Sequence, residues 1–101
     1  MQLTNEFQPI RDWARQKGIL SGGDPKTQFA KLNEEVGELA RALLHENSPE
    51  YKDAVGDIVV VLVSMAHFYG FTIEECINSA YAVISNRTGK IINNNFVKDE
   101  E

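Results

Sequence analysis

The chain has 101 residues, 43% of them hydrophobic and 25% charged, which suits one globular domain just large enough to bury a core. A formal charge of −5 without a basic cluster argues against DNA or RNA polymers as partners. The longest apolar run, the six residues from Ile58 to Val63, is too short to cross a bilayer. Cys76 is the only cysteine, so no internal disulfide forms, and the expected location is the cytoplasm. No signal peptide is read ahead of the first helix, and no repeat or linker divides residues 1–101.

Helical periodicity punctuated by Gly, Pro and Asn predicts four main helices joined by short loops, an all-α four-helix bundle. The first runs from about Gln8 to Lys17, with Pro9 in its opening turn, Gly18 at its end, and Ile10, Trp13 and Ala14 on one face. A loop, GILSGGD, follows. Asp24-Pro25 then supplies an N-cap and a proline at the first helical position. The helix it opens reaches about Glu46, and Phe29, Leu32, Val36, Leu39 and Leu43 form its expected core seam.

Ser48-Pro49 repeats the start signal for a third helix, which stops at Gly70. Its main seam is Val55, Ile58, Val59, Leu62, Met65, Ala66 and Tyr69. Val60, Val61, Val63 and Phe68 make its second half apolar nearly all round, so it is central. Thr72 and Glu75 make a capping box for a fourth helix, with Ile73, Ile77, Ala80 and Ile84 on one stripe and an end near Gly89. Cys76 reads as a core residue of that helix, and the tail from about 91 to 101 as extended or partly disordered.

The acidic residues carry the chemistry. On the second helix Glu35 and Glu38 lie on adjoining turns of one face, flanking the apolar seam, with Lys31 on the same line. On the third, Asp53 and Asp57 are four apart, and Asp57 abuts the apolar run, where water is expected to be scarce. Folding the hairpin at Asn47-Ser48 brings Glu38 and Asp57 to one height, because each is about nine or ten residues from the turn, with Glu35 and Asp53 about one turn away. Carboxylates gathered in this way raise one another's pKa or bind a cation, and hard oxygen donors select Mg²⁺ or Mn²⁺ over zinc. Glu34 lies nearly opposite the seam and reads as solvent-exposed. Redox iron is disfavoured, because Ala42 and Ser64, not acids, stand three residues before His45 and His67.

With Glu34, Glu35 and Glu38 followed after fourteen residues by Asp53 and then by Asp57 within DAVGDIVVVL, the sequence resembles the MazG-like nucleoside triphosphate pyrophosphohydrolases of the all-α NTP-pyrophosphatase superfamily. Their hallmark is E-E-x-x-E, a spacer, then E-x-x-D. The segments GDPKTQFAKLNEEVGELA and YAVISNRTGKIINNNFVKDE resemble the short, phage-type branch, so the likeness covers nearly the whole chain. One position departs: the usual glutamate three before the last aspartate falls on Ala54, which leaves Asp53 as the nearest acid.

The resemblance implies hydrolysis of a nucleoside triphosphate, deoxynucleotides included, between the α and β phosphates, giving monophosphate and pyrophosphate. It implies Mg²⁺ held by Glu35, Glu38, Asp53 and Asp57, with Glu34 as the base that orients or deprotonates water. Lys31, Arg87 and Lys90 become the phosphate partners. Arg87 continues the stripe 73, 77, 80, 84 and so points inward; the alternative is a cation favoured by the helix C-terminus. Trp13 is a candidate to stack on a base, set against an ordinary place in the core. The family also implies a homodimer or a dimer of dimers. Against the enzyme stand two other readings on the same scaffold: a helical regulatory or interaction module that has lost catalysis, for which Ala54 argues, and a sensor that binds nucleotide or metal without turnover.

Overall fold

A computed structural model describes residues 6–99; the ends of the expected domain and tail, residues 1–5 and 100–101, lie outside the described residues. The described chain is all-α with a β-hairpin appended. In order it forms α1 (Phe7–Gln16), α2 (Ile19–Gly22), α3 (Pro25–Leu44), α4 (Ser48–Phe68), α5 (Ile73–Ile84), β1 (Gly89–Ile92) and β2 (Asn95–Lys98). No single helix among the described residues is long and apolar enough to cross a membrane.

Local chemistry explains the boundaries. Asp24 caps α3, its carboxylate accepting 2.9 Å bonds from the Thr27 N–H and hydroxyl, with Pro25 at the first position. Asn47, rather than Ser48, caps α4: its side-chain oxygen reaches the Glu50 N–H at 3.1 Å, and Pro49 remains in the first turn, where no N–H is missed. Between these two helices Glu46 takes a left-handed conformation, φ 52°. The Asn47 N–H then bonds the Ala42 carbonyl at 2.9 Å and the Glu46 N–H that of Leu43 at 3.2 Å, a Schellman closure that fixes α3 and α4 as an antiparallel hairpin. Gly70, φ 81°, ends α4 by the same device. Thr72 and Glu75 form the expected capping box of α5.

Two elements differ from expectation. The stretch read as a loop after α1 contains a fifth helix, the single turn α2, because left-handed Gly18 reverses the chain and Ile19 to Gly22 close on it. Helix α5 ends at Ile84, not near Gly89: the side chains of Ser85 and Asn86 both bond the Ala82 carbonyl, drawing the chain out of the helix. Through Lys98 the tail beyond it is extended, one of the two forms expected, and its strands are paired. β1 and β2 pair antiparallel, Gly89 with Lys98 through Ile92 with Asn95, around Asn93 and Asn94, which both take positive φ as a tight two-residue hairpin requires.

The central helix is α4, which touches α1, α2, α3 and α5. The buried residues of its hairpin with α3 are mostly small, Ala42 on α3 with Ala54 and Ser64 on α4, beside Val61 and Val63 of α4. The expected seam of α3 is therefore corrected. Phe29, Val36 and Leu43 are 54%, 47% and 63% exposed, while Glu35 and Ala42, one position to the side, are buried. The seam of α4 is likewise rotated, with Val55 and Tyr69 exposed and Ala54 buried. On α5, Ile77, Tyr81, Val83 and Ile84 are all exposed, and so is Cys76, which is not a core residue.

Candidate metal centre

The site grows from the α3–α4 hairpin. Because α3 turns Ala42 toward α4, the residue two turns earlier on the same face, Glu35, enters the helix interface, where it is 6% exposed. Its Oε1 lies 3.5 Å from the Lys31 ammonium, one turn back along α3. Its Oε2 is buried with no hydrogen-bond partner. A buried carboxylate oxygen without a donor is costly, and a cation is one group that could compensate its charge.

Two further acids meet it. Glu38, the next turn of α3, and Asp57, facing from α4, each offer an oxygen, and one oxygen from each of the three residues lies within 4.8 Å of the others. A magnesium ion holds oxygens at about 2.0–2.1 Å and keeps several of its waters, so not all of its ligands need come from the protein. The donors fit Mg²⁺ or Mn²⁺ and contain no nitrogen or sulfur that would favour zinc. Asp57 is exposed, contrary to the expectation that it sits where water is scarce; the dry carboxylate is Glu35.

The other sequence-derived candidates spread around this centre. Asp53 is exposed and lies outside the group of three; it lines an adjoining cleft of about 370 Å³ with Glu38, Asp57, Arg41, Glu50 and Ala54. Ala54 itself is buried. Glu34 is exposed, 4.0 Å from the Lys31 ammonium. Arg87 is exposed and lies beyond the end of α5, so it does not point inward as its stripe suggested, because that stripe is itself uncovered. Lys90 is exposed on β1. Trp13 is not a core residue: it is exposed on α1 and lines a slot of about 380 Å³ with Pro9, Ile10, Val60 and Asp57. Asp57 thus borders both the carboxylate cleft and an apolar slot.

Sequence reasoning missed Arg41 and Glu50. The signal was present, since Arg41 follows Glu38 by three and Glu50 precedes Asp53 by three, the spacing that aligns side chains on one helical face. Away from the site, Arg11 of α1 grips Glu74 of α5 with two bonds of 2.8 and 2.7 Å. That pairing holds the guanidinium pKa above its ordinary value.

The family described as MazG nucleotide pyrophosphohydrolase domain matches residues 24–92, which take in every carboxylate of the site. A protein of Haemophilus phage HP1 (strain HP1c1), described as an uncharacterized 18.2 kDa protein in the rep-hol intergenic region, is 37% identical over 57 residues. That match takes in 56% of this chain and 35% of the phage protein, so the chain spans about a third of its relative's length. No solved structure matches the chain.

Proposed function

The chain belongs to the MazG nucleotide pyrophosphohydrolase family, and from that premise we propose that it hydrolyses nucleoside triphosphates, deoxynucleotides included, to monophosphate and pyrophosphate with Mg²⁺ or Mn²⁺. The observation that carries the reading is Glu35, buried with an unpartnered oxygen beside Glu38 and Asp57. These three would hold the cation, and Asp53 would reach it from the cleft at its side, in place of the acid that Ala54 lacks. A divalent cation bound there supplies neutralisation of the triphosphate and a water of lowered pKa.

The chain's own groups do the rest. Glu34 accepts the proton of the attacking water as its oxygen bonds to the α phosphorus; the bond from that phosphorus to the bridging oxygen breaks, and pyrophosphate leaves with the electron pair. Lys31, Arg87 and Lys90 hold phosphate oxygens, and Lys31 starts nearest the carboxylates. Trp13 offers the base a face to stack on, in a slot that adjoins Asp57.

The active form in this reading is a homodimer or a dimer of dimers, in which a second copy covers the apolar faces of α3 and α5. The chain exposes 8100 Å², whereas a folded monomer of its mass exposes roughly 5,700 Å². The excess, on the order of 2,000 Å² per chain, is what obligate homodimers bury. The radius of gyration, 16.3 Å, likewise exceeds the roughly 13 Å of a compact domain of this length.

Incubation with a panel of triphosphates and Mg²⁺, scored for monophosphate and pyrophosphate, tests the activity. Turnover of at least one substrate, abolished by Glu38→Ala, is expected. Ala54, a buried methyl where the family usually carries a carboxylate, favours a second reading, a regulatory module or sensor that binds without turnover. Metal binding with no product from any triphosphate would select it.

A further inference from the structure

We infer that Lys31 is a built-in counter-ion of the carboxylate centre: its ammonium neutralises Glu35 until a divalent metal arrives, and is then released toward the phosphates of the nucleotide. The inference rests on the metal reading above and adds an exchange step to it.

Three observations carry it. Glu35 is the buried member of the carboxylate group, and Lys31 is the cation paired with it, at 3.5 Å from Oε1. The same ammonium lies 4.0 Å from Glu34 Oε2, so it bridges the buried carboxylate and an exposed one. The Lys31 side chain is about half exposed and sits on four rotatable bonds, so it can leave Glu35 without disturbing the packing of α3 against α4.

Charge sets the direction of the exchange. Lys31 and a divalent ion compete for one buried carboxylate, and a positive group beside a doubly charged ion is repelled, least screened where Glu35 itself is buried. The ammonium moves outward along the line toward Glu34, to the side where triphosphate oxygens would replace its lost partner. The α3 interface is thus never left with a bare buried anion: Lys31 holds the charge in the free protein, the metal in the loaded one. The free metal works against the pair, but nucleotide and metal together gain from it.

The test separates this exchange from a merely structural ion pair, because the two halves have opposite signs. Titration calorimetry with Mn²⁺ alone, on the full chain, should show Lys31→Met binding the metal more tightly, by up to about fivefold, the strength of a half-exposed ion pair. Binding of inorganic pyrophosphate to the Mn²⁺-loaded protein should weaken severalfold in the same variant, and Lys31→Arg should return both affinities toward wild type. If Lys31→Met binds Mn²⁺ equally or more weakly, while the wild type binds it in a Glu38-dependent way, the exchange is overturned and the metal centre stands; Lys31 then simply orients Glu35. Unchanged pyrophosphate binding overturns the released half of the step. Absence of Glu38-dependent Mn²⁺ binding in the wild type overturns the exchange and the metal centre together.

Discussion

The α3–α4 hairpin and the α5–β-hairpin end of the chain are built from similarly apolar sequence but do different things with it. The first buries Ala42, Ala54, Val61, Val63 and Ser64 within its own chain and holds the acids across the interface. The second leaves Ile77, Tyr81, Val83, Ile84, Ile91 and Phe96 exposed. A two-stranded hairpin is at best marginal alone in water. The difference teaches that the hairpin carrying the acids finds a small core within the chain, whereas the α5 end leaves its apolar side chains uncovered, a surface proposed above to be covered by another copy.

Substitutions can break that comparison. The largest effect is expected at Val63: Val63→Asp buries an unpaired charge in the centre of the fold and should cost more than about 4 kcal/mol, enough to abolish cooperative unfolding followed by circular dichroism. The same change at Ile84 separates the alternatives. On a solvated surface it should alter stability by no more than about 0.5 kcal/mol. Under the proposed assembly Ile84→Asp should instead lower the mass seen by light scattering and lower the melting temperature with it. An unchanged mass would remove α5 from the interface.

A smaller effect is expected where the two regions are tied. Arg11 reaches Glu74 with two bonds from α1, which packs on α4, to the start of α5. Arg11→Met keeps the apolar stem but removes the clasp, and should cost about 1 kcal/mol, a partly exposed pair being weak. Faster amide exchange in α5, with α3 and α4 unaffected, would be its signature.

The smallest effect concerns pH. Backbone and side-chain bonds from Thr27 hold the Asp24 carboxyl below its ordinary pKa. A depressed folded pKa contributes stability that is present above the unfolded value and is lost as pH falls through the folded one. The N-terminal turn of α3 should therefore loosen only on acidification below the ordinary carboxylate range. Asp24→Asn, which still caps, should flatten that part of the stability profile.

How much of this was legible in the sequence depends on the kind of signal. Helix starts were readable at Asp24-Pro25 and Thr72-x-x-Glu75, because caps act through local bonds that leave a fixed spacing. The meeting of α3 acids with Asp57 followed from counting residues out from the turn. What stayed hidden was which side of an apolar helix its own chain covers. Periodicity marks a face as apolar without saying what packs there, so Phe29, Val36 and Leu43 read as core although they are exposed. The same rotation hid the burial of Glu35 and misplaced Asp57, whose neighbours in sequence are apolar while its side chain faces the cleft. Small residues mark the inner faces instead: Ala42 and Ala54 are buried, and Ala54 lines the cleft with Glu38, Asp53 and Asp57.

The most direct test of the central claim, that Glu35 is buried to receive a metal, is the melting temperature of wild type and Glu35→Gln with and without Mg²⁺. Glu35→Gln gives up the pair with Lys31, but that ammonium is about half exposed and can turn to solvent. The variant also no longer buries a charged oxygen without a donor, so the metal-free fold should lose little and can gain. The variant should therefore melt at or above the wild-type temperature without metal, while the rise that Mg²⁺ gives the wild type should vanish. A variant that melts lower and still responds to Mg²⁺ would make Glu35 a structural residue and contradict the account.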